Sequence, residues 1–170
     1  MVSIRVETTV NAHPDVVWDA IADVGNVHRR LLPGRVADAR IDGDERILTM
    51  PDGTEVRELI VAVDHEQRRM AYSVQGPGRM VLAHHHAAFQ VFGDGDRARL
   101  VWTTDVLPHD REAAVRARVE RGIEEIRAML ERRERGVGLE AHGRNTMVAP
   151  RQLKATTASA GPDGGGAAPV

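Results

Sequence analysis

The chain has 170 residues, 42% of them hydrophobic and 28% charged, with no cysteine and a formal net charge of −2. That length suits one domain, and the near-neutral charge leaves no electrostatic footprint for nucleic acid. No run of about 18 apolar residues exists to span a membrane, and without cysteine there is no disulfide framework, thiolate nucleophile or cysteine-ligated zinc.

The elements follow in order. Ile4, Val6, Thr8 and Val10 alternate with polar neighbours, which predicts a half-buried strand over 3–10. A helix comes next. Pro14 occupies a favoured first-turn position, Asp15 complements the helix dipole, and Val17, Ile21 and Val24 share a face beside Trp18. Gly25 and Asn26 break it, and a second short helix over roughly 26–31 ends at Pro33-Gly34. Strands are then expected over 35–41, 45–50, 54–63, 69–75, 80–92 and 97–107. Three Asp-Gly pairs, Asp42-Gly43, Asp52-Gly53 and Asp94-Gly95, supply the positive φ that hairpin turns need. The connection containing Gly76-Pro77-Gly78 reads as a mobile loop. From Asp110 to about Arg133 the residues Val115, Val119, Gly122, Ile123, Ile126, Met129 and Leu130 recur at spacings of three and four. They form the apolar stripe of a long helix, with Gly136 as its stop.

Composition changes at Gly136. Residues 136–170 hold 7 of the 16 glycines and few apolar residues. Such a segment cannot bury enough surface to offset its ordering entropy, so a domain over 1–135 and a disordered Gly/Ala-rich tail over 136–170 are expected. The 23 basic residues are all arginine except Lys154, which reads as the coding bias of a GC-rich bacterial genome. The opening MVSIRVETTV lacks a basic stretch followed by an apolar run, so no signal peptide is expected. A cytoplasmic location fits the missing cysteines.

Several stretches resemble the SRPBCC (START/polyketide cyclase/birch-pollen-allergen-like) superfamily, in its bacterial polyketide cyclase-like branch. They are VNAHPDVVWDAIAD over 10–23, HRRLLP over 28–33, and Val56-Arg57-Glu58-Leu59 running on to Asp64. Further matches are Arg68-Arg69-Met70 with Tyr72 and Val74, Leu100 with Trp102, and Gly122-Ile123. The resemblance covers about residues 3–132. It implies an α+β, helix-grip fold: a curved seven-stranded antiparallel sheet around a long C-terminal helix, with two short helices after the first strand. One departure is His13, where the family carries serine as a helix cap. Imidazole is a poorer cap, so a weaker helix start is expected. The short 76–79 connection is another.

Side chains alternate across a strand, which assigns an inner face. It comprises Leu100, Trp102, Thr104 and Val106, then Ala83, His85, Ala87, Phe89 and Val91, then Met70, Tyr72 and Val74. Val56, Glu58, Ile60 and Ala62 follow, with Arg46, Leu48 and Met50 on the strand before them. The polar intruders are Arg46, Glu58, Tyr72 and His85. A carboxylate facing an apolar interior must be paired, hydrated or protonated. Glu58 is therefore an ion-pair partner of Arg46 or another arginine, a ligand anchor, or a general base. His85 is a satisfied interior histidine or, with Glu58, half of an acid/base pair. In His84-His85-His86 the outer two point away from the middle one, short of the three or four ligands of a zinc site, so no metal is expected. Gly122 faces the sheet, where it makes room for a ligand or for Trp102. Arg111, Arg116, Arg118, Arg121 and Arg127 read as a solvated helix face with i,i+4 ion pairs.

No GxGxxG, P-loop, GxSxG or HExxH occurs, so dinucleotide, triphosphate and serine- or zinc-hydrolase chemistry find no support and no cofactor is expected. The favoured reading is a module that binds a small hydrophobic molecule, a lipid, polyketide or aromatic metabolite, between sheet and helix. The expected binding set is Arg46, Leu48, Glu58, Tyr72, His85, Phe89, Trp102, Thr104, Gly122 and Ile126. One alternative is a cyclase or dehydratase with His85 and Glu58 as the acid/base pair. Another is a regulatory interaction domain acting through its tail or an exposed strand face. Neither nucleic acid nor membrane insertion is expected, and a homodimer is left open.

Overall fold

The computed structural model describes residues 1–76 and 81–143, with side chains up to residue 136. The expected loop at Gly76-Pro77-Gly78 therefore lies largely outside the described residues, as does the expected tail over 136–170 from residue 144 onward. Strand β1 (Val2–Val10) is followed by helix α1 (Pro14–Ala22), a 3₁₀ turn and the one-turn helix α2 (Val27–Arg30). Six strands come next: β2 (Asp38–Asp42), β3 (Glu45–Thr49), β4 (Glu55–Asp64), β5 (Arg69–Gln75), β6 (His84–Asp94) and β7 (Arg97–Leu107). Helix α3 (Glu112–Gly143) closes the described chain.

The strands form one antiparallel sheet in the order β1-β7-β6-β5-β4-β3-β2. Hairpins place β2 to β7 in sequence, and β1 joins the far edge against β7, in register from Val2↔Val106 to Val10↔Ala98. The Asp-Gly turns behave as their chemistry requires, with Gly43, Gly53 and Gly95 all at positive φ. One sheet face is laid on the apolar stripe of α3, where Val119, Ile123, Ile126 and Leu130 are buried. Thr8 Oγ1 donates to Glu124 at 3.1 Å and the Asn11 amide donates to Glu131 at 3.0 Å, which ties the helix to β1 and the loop after it.

His13 caps α1, its Nδ1 accepting from the Asp15 amide at 3.3 Å, a long bond. Three local expectations change. Helix α3 passes through Gly136, because one glycine costs only about 1 kcal/mol and strong helix formers precede it. A bulge at Val61 shifts the β4 register, so Val63 pairs with Met70 and packs on the core, while Ala62 moves to the outer face opposite Ala71. Ala83 precedes β6 and is exposed rather than part of the inner wall.

Candidate functional site

The inner faces of β3 to β7, α2 with the segment after it, and α3 enclose a cavity of about 90 Å³. Arg46, Glu58, Tyr72 and His85 line it, with Leu48, Phe89, Trp102 and Ile126. The structure therefore brings together most of the residues expected from strand alternation. Thr104 and Gly122 are not on its wall. Thr104 is boxed between its buried register partners Ile4 and Ala87. Gly122 is a seat for Trp102: a Cβ there would stand 2.8 Å from the ring carbon Cζ3.

Arg46 and Glu58 are direct cross-strand partners, which delivers the guanidinium to the carboxylate. Arg46 Nε and Nη2 both donate to Glu58 Oε2, at 2.8 and 2.6 Å. A third nitrogen, Nη1, donates to the Val24 carbonyl at 3.3 Å, and the guanidinium lies 5.4 Å from the centre of the Tyr72 ring. Burying two charges is tolerable here because each is met by the other and by further polar groups. No hydrogen bond joins Glu58 to His85 among the described residues, so the two do not form the hydrogen-bonded acid/base pair that the cyclase reading needs. His85 packs instead beside Tyr72, with ring centres 5.9 Å apart. Tyr72, Phe89 and Trp102 continue as a row of rings, Phe89 and Trp102 only 4.4 Å apart.

Burial pushes the His85 imidazole down to about 4, and the Arg118 charge pushes the same way. Burial, reinforced by the Glu58 charge, drives the Tyr72 hydroxyl well above its ordinary value. Both groups are therefore neutral at physiological pH and act as hydrogen-bonding groups. A base with a pKa near 4 is poorly matched to proton abstraction at pH 7. Among the described residues no three of His, Asp and Glu converge in the manner of a metal site. His84 and His86 take the opposite face from His85, as the strand pleat demands.

A second, larger space of about 870 Å³ lies outside the first. It is a groove between residues 31–35, the turn at Met50-Pro51-Asp52, and α3. The groove and the cavity share Leu31, Leu32, Arg35, Met50 and Arg118, so the groove is the mouth of the cavity. Arg35 crosses this mouth to Glu125 at 2.7 Å. Sequence reading missed the mouth, although a signal was present. Residues 114, 118, 121, 125, 128 and 132 repeat at helical spacing, and they form a second stripe on α3.

The sequence profile of the family described as "Polyketide cyclase / dehydrase and lipid transport" matches residues 1–133. The chain belongs to this family. The resemblance seen in the sequence thus holds over nearly the same span. No curated protein matches the chain. Solved structures share the fold of this family member at low identity. A protein from Bacillus thuringiensis superposes with a TM-score of 0.67 at 16% identity, over 76% of this chain and 98% of that one. A protein from Thermobifida fusca gives 0.64 at 20% identity, over 89% and 100%. Norcoclaurine synthase from Thalictrum flavum, in complex with dopamine and hydroxybenzaldehyde, gives 0.60 at 18% identity, over 82% and 87%. At such identities the likeness establishes the fold alone. No described helix is long and apolar enough to cross a membrane.

Proposed function

We propose that this protein binds a small hydrophobic molecule between the sheet and α3. One observation carries the reading. The Nδ1 of His85 is buried without a hydrogen-bond partner among the described residues, and the side chain lines the cavity. An orphaned buried polar group costs about 1–3 kcal/mol, a penalty that a ligand's polar atom removes. The remaining wall is apolar and aromatic, the usual make-up of a small-molecule site. A cavity of about 90 Å³ is well below the roughly 300–1,000 Å³ of a filled ligand pocket, so binding must part the walls at the mouth. The family description and the small aromatic ligands of norcoclaurine synthase on the same fold agree with this reading.

The test pairs native mass spectrometry of gently purified protein with a thermal-shift screen of lipids, polyketides and aromatic metabolites. A stoichiometric organic adduct, or a compound class that raises Tm, is the expected result. His85→Phe keeps a planar aromatic ring and removes the Nδ1, so it should weaken the hit. An empty protein that no hydrophobic class stabilises refutes the assignment.

A further inference from the structure

The arginines of α3 do not behave alike. Arg116 pairs with Glu112 at 3.1 Å, and Arg127 pairs with Glu124 at 2.7 Å. Those two fit a solvated helix face. Arg118 and Arg121 have no carboxylate partner among the described residues, and both line the mouth groove. Ala114 and Ala128 sit above and below them on the same stripe, where small side chains keep the groove open.

Charge and position agree. The groove wall carries Arg35, Arg118, Arg121 and Arg132 against Asp52 and Glu125, a cationic patch on a chain whose net charge is −2. Arg118 lies on the boundary, because it lines both the groove and the inner cavity. Arg118 and Arg121 are i,i+3 neighbours, with Cβ atoms about 5–6 Å apart, close enough for both to engage one small anion. Guanidinium forks match the oxygens of a carboxylate or a phosphate.

We propose that the mouth groove holds the carboxylate or phosphate head of an amphipathic small molecule on Arg118 and Arg121, while its apolar body enters between sheet and α3. This rests on the reading of the cavity as an apolar ligand site, and adds the class of ligand and its orientation. The head stays in the wet groove, where an anion loses little hydration. The body meets Leu31, Leu32 and Met50 first, then the aromatic row.

The test uses ten-carbon probes that differ only in the head: decanoate, decyl phosphate and decanol, titrated calorimetrically into the full chain. At least one anion should bind about tenfold or more tightly than decanol, and added salt should erode the difference. The double variant R118Q/R121Q should lose that preference. R116Q, on the same helix but paired with Glu112, should retain the preference. Both groove arginines are exposed, so the double variant should unfold at an unchanged temperature. The stronger of the two anions identifies the head. If decanol binds as tightly as both anions, or R118Q/R121Q keeps the preference, the anion site is wrong and the apolar site stands. If none of the three binds, the head-group assignment fails, and the apolar site is judged by the thermal-shift screen of lipids, polyketides and aromatic metabolites.

Discussion

Removing the Glu58 carboxylate tests whether the interior is as dry as its geometry implies. Glu58 and Arg46 are each nearly fully buried, with side-chain exposures of 7% and 4%. In Glu58→Ala two guanidinium nitrogens lose their acceptor and a charge is left without its counter-ion. Only the Val24 carbonyl and the Tyr72 ring remain to Arg46. Breaking a buried pair by deleting one partner costs about 3–5 kcal/mol. For a chain this size that is a fall in Tm on the order of 10 °C. Replacing both residues, as in R46M/E58M, removes the stranded charge and should recover most of the loss. The assay is urea denaturation of the wild type, R46M, E58M and R46M/E58M, read as a double-mutant cycle, with Glu58→Ala measured beside them. A cost below about 1 kcal/mol for Glu58→Ala would mean that water reaches Arg46, and the description of a closed cavity would be wrong.

Gly122→Ala drives a methyl group against a ring carbon of Trp102 at 2.8 Å, so an overpacking loss of about 1–3 kcal/mol should outweigh the roughly 1 kcal/mol gained in helix propensity. Near-ultraviolet circular dichroism should report the moved indole, and a variant more stable than wild type would contradict the packing. His85 titrates near 4 in the folded state against about 6.5 unfolded, so the folded protein resists that proton. Its contribution to stability is complete above pH 6.5 and is lost as pH falls towards 4, by about 1.4 kcal/mol per unit. An NMR titration of the ring should show the low value, and His85→Gln should flatten this part of the stability profile; a ring that titrates near 6.5 refutes the burial argument. Arg35→Gln cuts the bridge to Glu125 across the mouth. Because that pair is partly exposed, stability should change by less than about 1 kcal/mol, while stopped-flow entry of a hydrophobic fluorophore should quicken. Unchanged entry rates would show that Arg35 does not guard the opening.

Most of the inner wall was legible in the sequence because strand alternation is local. Leu100, Trp102, Phe89, Tyr72 and Glu58 all follow from period-two counting between glycine turns, with no knowledge of partners. The errors arise where that counting breaks. Nothing in Ile60-Val61-Ala62 announces a bulge, since an extra residue in a ladder is defined only by the opposing strand. The fates of Glu58 and Gly122 were open for the same reason. Each had a bland and a functional reading, and the choice required knowing which atom stood opposite.

The element order, the turns at Asp-Gly and the amphipathic stripe of α3 are properties of short stretches of chain. The sequence alone was enough for them, and the family resemblance it carries implied the helix-grip fold. The mouth is different in kind. Arg118 and Arg121 look like any other exposed arginines on a Glu/Arg-rich helix. They become distinct only because residues 31–35 and the turn at Met50-Pro51-Asp52 fold against that side of α3, while the available glutamates engage Arg116, Arg127 and Arg35. Ion pairing and cavity closure are decided by distances between residues far apart in the chain, and only the tertiary structure sets those distances.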